Sequence, residues 1–90
     1  MLLVSYDISN NKVRTRFAKY LSKYGYRIQY SIFEIDNSDR VLENITTHIK
    51  GCYKKEFSQS DSVIIFQLSK QCKITRFGYA ANDESDLLIV

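Results

Sequence analysis

Apolar and polar positions along the chain follow two different periods, which predict strands and helices in turn. Residues 2–8 are apolar and β-compatible, so they predict a buried strand. The polar turn at 9–11 offers short side chains that can cap a helix. Beyond it, apolar residues recur at spacings of three and four, which predict one buried helix face: Val13, Phe17, Tyr20, Leu21 and Tyr24. Gly25 follows, as is typical just past a helix end.

Residues 26–35 alternate and predict strand structure with two unlike faces. The predicted core face carries Ile28, Tyr30 and Ile32. The other, mixed face carries Arg27, Gln29, Ser31 and Phe33. Because the segment is long for one strand, two strands with a break between them are an alternative. No glycine or proline within the segment places the break.

A second amphipathic helix is predicted after the turn at 36–39, with Ser38 as its cap. Gly51 weakens its last turn. The apolar positions of this helix are Val41, Leu42, Ile45, Ile49, Cys52 and Tyr53. Residues 62–68 predict another buried strand, and residues 74–77 a short one. The polar stretch at 83–86 precedes four apolar residues at 87–90.

This order of elements predicts an α+β fold, a ferredoxin-like βαββαβ sandwich that forms a single domain over residues 1–90. The apolar residues at 87–90 are costly to expose to water, so residues 86–90 are expected to add a further strand to a sheet. That sheet belongs either to the same chain or to a neighbour, since strand exchange is an inexpensive route to a dimer. A chain of 90 residues buries only about 60–65% of its unfolded surface, which favours a homodimer.

Composition narrows the function classes. A net charge of +3 is mildly basic and is consistent with a nucleic-acid partner. With only three glycines, the chain has no glycine-rich phosphate loop, and its one histidine, His48, is expected at the surface. Cys52 and Cys72 lack a set of cysteine and histidine partners, which favours reduced thiols in a cytoplasmic protein over zinc. The apolar runs are too short to span a membrane, and residues 1–7 do not resemble a signal peptide.

Candidate chemistry gathers where the first strand meets the first helix. Asp7 ends an apolar strand, where a carboxylate is costly unless it accepts hydrogen bonds or binds a metal, so a cap and a ligand are both open. Arg14 lies in the first turns of the helix, and Arg16 lies roughly 200° further around the axis, so the two do not form one clamp. Arg27 begins the next strand. Singly each arginine is an ordinary surface charge, but together around Asp7 they indicate a site.

Several blocks closely resemble the Cas2 family of small CRISPR-associated proteins. They are Tyr6-Asp7-Ile8, Arg14-x-Arg16, the block Gly-Tyr-Arg-Ile-Gln-Tyr-Ser-Ile-Phe-Glu at 25–34, and the strand at 61–68. The resemblance spans residues 1–68 in order and spacing. The pattern Arg-x-Gln-Tyr-Ser-x-Phe-Glu is its specific part.

The resemblance implies a ferredoxin-like homodimer that bridges dimers of the CRISPR integrase and binds double-stranded DNA during spacer acquisition. It also implies a metal-dependent endonuclease activity, as in some members, with single-stranded RNA as an alternative substrate. Asp7 would then bind Mg²⁺ or another divalent cation between two protomers. The resemblance carries the remaining roles onto Tyr6 and Phe33 in catalysis and onto Arg14, Arg16 and Arg27 in nucleic-acid binding.

One departure from the family concerns the turn at 9–11, which is neutral here and acidic in many members. Mg²⁺ prefers about six oxygen ligands and usually takes one or two carboxylates among them. A single Asp7 would therefore supply few of the ligands that the ion needs. Two Asp7 residues meeting across a two-fold axis would suffice, although they would repel one another without a cation. The sequence therefore favours a DNA-binding scaffold over a metal-dependent nuclease, with an RNA-cleaving toxin as a third alternative.

Overall fold

The computed structural model describes residues 1–36, 38–79 and 88–89. Its helices are α1 (Asn11–Leu21) and α2 (Asp39–His48), and α2 is followed by a π-helical turn (Ile49–Tyr53) and a 3-10 turn (Lys54–Glu56). Its strands are β1 (Leu2–Asp7), β2 (Gly25–Gln29), β3 (Ile32–Ile35), β4 (Ser62–Gln67), β5 (Gly78–Tyr79) and β6 (Leu88–Ile89).

The first four strands form one antiparallel sheet in the order β2-β3-β1-β4. With the helices between them in the chain, this is the ferredoxin-like arrangement, so the predicted α+β fold is confirmed. Alternate residues of the central strand β1 face the helices, and of these Leu2 and Val4 are fully buried. We call this side of the sheet the covered face. The opposite side, which carries Leu3, Ser5 and Asp7, is the open face.

Both helices begin at caps within the predicted turns, and the second cap is the predicted Ser38. The side-chain oxygen of Asn10 accepts a hydrogen bond from the Val13 amide at 3.0 Å, and that of Ser38 accepts one from the Val41 amide at 3.4 Å. Of the predicted buried face of α1, Val13, Phe17 and Leu21 pack into the core, whereas Tyr20 and Tyr24 are only partly buried. Ala18, which was not predicted, is buried with them. From α2, Ile45 is fully buried against the same core.

The second helix is shorter than the periodicity predicts. Regular α-helix ends at His48, and the chain continues as the π-helical turn Ile49–Tyr53. The altered turn allows Tyr53 to bury its ring against Phe17, with 5.0 Å between the ring centroids in an edge arrangement. His48 was expected at the surface, but it is half-buried and stacks on Tyr20 with 4.0 Å between the centroids.

Residues 26–35 form two strands, and the predicted faces were partly wrong. The chain turns at Tyr30 and Ser31, and a bulge interrupts the register of β2 between Arg27 and Gln29. A bulge and a turn each shift the alternation of side chains, so the single period read from the sequence does not hold. As a result Tyr30, predicted in the core, is 67% exposed, whereas Phe33, predicted on the mixed face, is 3% exposed.

Gly25 begins β2 and does not cap α1, whose C-cap is Ser22. Its requirement for glycine comes from a close approach of two backbones. A β-carbon at this position would lie 2.0 Å from the carbonyl oxygen of Glu34, which is the strand partner of the adjacent residue Tyr26. Any side chain here would therefore separate β2 from β3.

The short strand predicted at 74–77 was misplaced, because β5 lies at Gly78–Tyr79. It pairs with β6 in an antiparallel two-stranded sheet, so the additional C-terminal strand is present and pairs within this chain. The predicted range 86–90 extends on both sides of β6 into residues that are not described.

Cys52 and Cys72 are both exposed free thiols. Cys52 was placed on the apolar face of the second helix, and the π-helical turn carries it to the surface instead. No helix among the described residues is both long enough and apolar enough to cross a membrane.

Candidate nucleic-acid and metal site

Asp7 is the last residue of β1, and its side chain is exposed on the open face opposite Ser62 of β4. It lines a cleft of about 360 Å³ together with Arg14, Tyr30 and Ser31, which we call the Asp7 cleft. Within the described part of the chain, its carboxylate accepts no hydrogen bond. Of the two alternatives left open by the sequence, Asp7 is therefore not a cap, and its oxygens are available to an outside ligand.

Asp61, and not Asp7, is the carboxylate that accepts hydrogen bonds in this turn region. Its carboxylate accepts from the amides of Ser9 and Ser58, both at 2.9 Å. These bonds favour the ionised form and lower the pKa of Asp61 to about 2. The loop before β4 is thereby tied to the turn after β1, which fixes one wall of the Asp7 cleft.

Arg14 lies at the junction of β1 and α1, as the sequence predicts. Its guanidinium donates to the carbonyl oxygen of Ile8 at 3.0 Å and to the side chain of Asn11. Both acceptors are neutral, so they orient Arg14 without cancelling its charge. The side chain lines the Asp7 cleft on one side and a second cleft on the other.

Arg27 lies on the covered face, not on the mixed face that the alternation predicts. It is the register partner of Phe33, and its guanidinium carbon is 5.4 Å from the centroid of that ring and 6.0 Å from that of Tyr30. Its Nε atom is buried and has no hydrogen-bond partner among the described residues. Burial in the same region raises the pKa of Tyr6, and the nearby Arg27 charge partly opposes that effect.

The second cleft runs between α1 and β2 and has a volume of about 470 Å³; we call it the α1–β2 cleft. Among the residues that the structure describes, its charged lining residues are Arg14, Lys19 and Arg27, and no carboxylate lines it. Tyr6 and Phe33 form part of its floor, and Tyr30 lies at the end shared with the Asp7 cleft. The two clefts therefore form one continuous surface around Arg14 and Tyr30.

Comparison with known proteins places this arrangement in a family. The profile described as CRISPR associated protein Cas2 matches residues 1–76. The chain belongs to the Cas2 family. It is 29% identical over 94 residues to the CRISPR-associated endoribonuclease Cas2 2 of Methanospirillum hungatei, covering 98% of this chain and 97% of that protein. It is 32% identical over 71 residues to the CRISPR-associated endoribonuclease Cas2 1 of Chloroflexus aurantiacus, covering 79% and 74%.

A solved structure agrees with the family assignment. The crystal structure of Streptococcus pyogenes Cas2 at pH 6.5 superposes with a TM-score of 0.65 and 25% identity, covering 78% of this chain and 87% of that one. The ferredoxin-like sheet and its two helices are thus shared with a Cas2 protein. Five of the six predicted site residues, all except Arg16, come together in this Cas2 chain: Tyr6, Asp7, Arg14, Arg27 and Phe33 line the two clefts.

Arg16 is the predicted site residue that the fold separates from the others. It forms an ion pair with Glu56, and its guanidinium carbon lies 5.7 Å from the centroid of the Tyr53 ring. It lines neither the Asp7 cleft nor the α1–β2 cleft. The helical geometry predicted this separation, because side chains two positions apart on an α-helix point in nearly opposite directions.

The capacity of one chain to bind a divalent cation is limited. Within residues 1–36, 38–79 and 88–89, no three histidine, cysteine, aspartate or glutamate residues are grouped as metal ligands. The Asp7 cleft offers one carboxylate together with the neutral hydroxyls of Ser5, Ser31 and Ser62. Hard cations bind such oxygens, but Mg²⁺ commonly takes a second carboxylate. One described chain therefore supplies a single carboxylate to this cleft.

Sequence reasoning missed three contributors to these clefts. Lys19 was not among the predicted site residues, although its position one turn after Thr15 puts those two residues on the same side of the helix. Tyr30 was assigned to the core because the turn that contains it has no sequence marker. Asp61 stands among serines just before a strand, a composition typical of a hydrogen-bonded turn.

Proposed function

We propose that this chain is a homodimeric CRISPR adaptation protein that acts in the cytoplasm as one domain over residues 1–90. In this proposal it binds double-stranded DNA and scaffolds the spacer-integration complex with the CRISPR integrase. The observation that carries the proposal is the continuous basic surface of the two clefts. Neither of the ion pairs between described side chains involves Arg14, Lys19 or Arg27, so their charges are available to phosphates. Membership of the Cas2 family supplies the CRISPR context.

The open face of the sheet supports the homodimer. Ile64 is 52% exposed and Phe66 is 47% exposed, and they lie opposite Ser5 and Leu3 of β1. Large apolar side chains grouped on one face favour burial against another surface. Asp7 belongs to this same face, so a second copy packed there across a two-fold axis would bring the two Asp7 carboxylates towards each other.

A second candidate function, metal-dependent endonuclease, is favoured by the free carboxylate of Asp7. The relatives named above are called endoribonucleases, so single-stranded RNA is a candidate substrate alongside DNA. A divalent cation such as Mg²⁺, held by Asp7 of both protomers, would supply an activated water and neutralise phosphate charge. Arg14 would orient the phosphodiester from the wall of the cleft. Tyr6 and Phe33 would act as positioning residues, because the Phe33 ring lies against Arg27 and both residues line the cleft floor.

The scaffold function and the nuclease function depend on different residues. A scaffold needs the basic clefts and the open face, whereas a nuclease needs Asp7 and a cation. An endonuclease that works without the integrase, or a related RNA-cleaving toxin, would need the nuclease residues alone. The separate requirements allow one set of variants to decide among these functions.

The test uses the purified full chain, the integrase of its own locus and a spacer-like DNA duplex. We expect the chain to bind both partners and to be required for integration. The Arg14→Gln, Arg27→Gln double variant should weaken DNA binding, while Arg40→Gln, which removes an exposed charge on α2, should not. A chain that binds neither integrase nor DNA, yet cleaves RNA in an Asp7-dependent way, would replace the scaffold with the independent nuclease.

A further inference from the structure

A cysteine and a histidine lie side by side where α2 ends, outside the Asp7 cleft and the α1–β2 cleft. The Sγ atom of Cys52 is 3.9 Å from Nδ1 of His48, which is within hydrogen-bond reach for sulfur. Cys52 belongs to the π-helical turn and is exposed to solvent. The turn therefore presents a free thiol beside an imidazole.

The ring of His48 is held in place by Tyr20 of α1. The two rings are stacked, with 4.0 Å between their centroids and 12° between their planes. The Tyr20 hydroxyl donates a hydrogen bond to the main-chain carbonyl oxygen of Asn44 at 3.3 Å, which ties Tyr20 to α2. The Tyr53 ring packs beside His48, with 5.3 Å between the centroids. A nucleophile, a base within reach and a group that orients the base together make an activated nucleophile.

The thiol opens onto a shallow cleft of about 660 Å³ between α1 and α2, which we call the α1–α2 cleft. Tyr20 and Tyr24 line it from α1, and His48, Gly51 and Cys52 line it from the other side. A β-carbon added at Gly51 would meet no atom within 4 Å, so the space beside the thiol is open. The α1–α2 cleft can therefore hold a small molecule against Sγ.

From these observations we propose that Cys52 is a reactive thiol, activated by His48, that forms a mixed disulfide with low-molecular-weight disulfides. His48 Nδ1 takes the thiol proton, and Sγ attacks one sulfur atom of the disulfide. A bond forms between Sγ and that sulfur as the original sulfur–sulfur bond breaks. The other half leaves as a thiolate, which takes the proton from His48.

The exchange needs no further oxidant, because one disulfide is consumed and one is formed. A free thiol reverses the same step, so the modification would follow the redox state of the surroundings. The proposal does not depend on the nucleic-acid function, since none of its residues lines the Asp7 cleft or the α1–β2 cleft.

Cys72 provides a matched control within the same chain. It is also an exposed free thiol, and its main-chain amide donates to the carbonyl oxygen of Ser69 in a turn. No histidine assists it, because the one histidine of the chain lies beside Cys52. A difference in reactivity between the two thiols therefore reports the contribution of His48 and the α1–α2 cleft.

The first experiment treats the full chain with 2-hydroxyethyl disulfide at neutral pH and measures the modification of each cysteine by peptide mass spectrometry. This reagent carries no charge, so surface charges neither attract nor repel it. We expect Cys52 to react about fivefold or more faster than Cys72. His48→Gln should lower the rate at Cys52 towards that at Cys72 and leave the rate at Cys72 unchanged. Equal rates in the wild type, or an unchanged Cys52 rate in His48→Gln, would overturn the proposal.

The second experiment tests Tyr20 as the positioning residue for His48. Tyr20→Leu should slow the reaction at Cys52 alone, because it removes the ring that orients the imidazole. Tyr20→Phe should restore the rate, since it keeps the stacked ring and loses only the hydroxyl. Urea unfolding of both variants checks that the fold is retained. A folded Tyr20→Leu chain that reacts at the wild-type rate, or a Tyr20→Phe chain as slow as Tyr20→Leu, would contradict the positioning role.

Discussion

The two faces of the sheet differ in how fully their side chains are buried. On the covered face, Leu2 and Ile35 are buried completely or nearly so, as is Phe17 of α1 in the same core, and this chain supplies every group that buries them. On the open face, Ile64 and Phe66 stay about half exposed, and Asp7 has no partner among the described residues. The covered face therefore determines whether the chain folds, whereas the open face is expected to determine what it assembles with.

The largest expected effect comes from comparing Phe17 in the core with Phe66 on the open face. Phe17→Ala, in the core between α1 and the covered face, should destabilise the fold by about 3–5 kcal/mol, because it removes a fully buried ring and leaves a cavity. Phe66→Ala on the open face should change monomer stability by only about 1 kcal/mol or less but weaken the dimer. Urea unfolding and analytical ultracentrifugation of both variants provide the measurement.

The opposite pattern would break the comparison between the faces. If Phe66→Ala leaves the dimer unchanged at every protein concentration, the open face is not the dimer surface. Gln67→Ala serves as a control, because it changes an exposed residue of the same strand without removing an apolar side chain.

Asp7 provides the second test of the open face. Asp7→Asn should abolish divalent-dependent cleavage while leaving the fold and spacer integration in place. If two Asp7 residues face each other across the dimer, the same change should also tighten the dimer when a chelator is present, because it removes their repulsion. Cleavage assays with Mg²⁺ and dimer dissociation constants with a chelator test both statements.

The two outcomes for Asp7 have separate meanings. Cleavage at the normal rate by Asp7→Asn would exclude Asp7 as the ligand. A dimer that is equally tight in both proteins would place the two carboxylates far apart. A folded variant that no longer supports integration would contradict the scaffold proposal.

Sequence patterns were sufficient wherever one period governs a whole element. They predicted the strand β1, most of the buried face of α1, the capping turn at 9–11 and the cap Ser38. Patterns failed where the backbone departs from its period without a marker residue. The turn at Tyr30 and Ser31 and the bulge between Arg27 and Gln29 contain neither glycine nor proline, and the turn is what places Phe33 in the core.

The sequence predicted which residues belong to the candidate site better than it predicted how they are arranged. The resemblance supplied Tyr6, Asp7, Arg14, Arg27 and Phe33, and these five residues do line adjoining clefts. The orientation of Arg27 towards the covered face depends on strand register, which is a property of paired strands and not of one segment. The ion pair of Arg16 with Glu56 joins residues distant in sequence, so no local pattern predicts it.

The salt dependence of DNA binding sharpens the contrast between Arg14 and Arg16. If Arg14 and Arg27 of both protomers contact phosphates, four charges give a slope of log K against log salt of about −0.9 × 4, or roughly −3.6. Arg14→Gln should reduce the slope by about 1.8, since it removes two of those charges. Arg16→Gln should leave it nearly unchanged, because Arg16 is paired with Glu56 outside both clefts. Titrations at several salt concentrations would show equal slopes for the two variants if this assignment is wrong.

The smallest expected effect concerns the tie between the loop before β4 and the turn after β1. The amides of Ser9 and Ser58 lower the pKa of Asp61 from 3.8 to about 2. Since the pKa is lower in the folded chain, the stabilisation by Asp61 is fully present above about pH 4 and is lost as the pH falls towards 2. Asp61→Asn should therefore flatten the decline of unfolding free energy in that window, whereas the control Asp36→Asn should not. Because Asp61 is exposed to solvent, the difference should be modest, and urea unfolding across pH 2–5 would detect it. An equal decline in wild type and Asp61→Asn would show that the tie does not persist in solution, and the wall of the Asp7 cleft would then have to be held by the β1–β4 pairing alone.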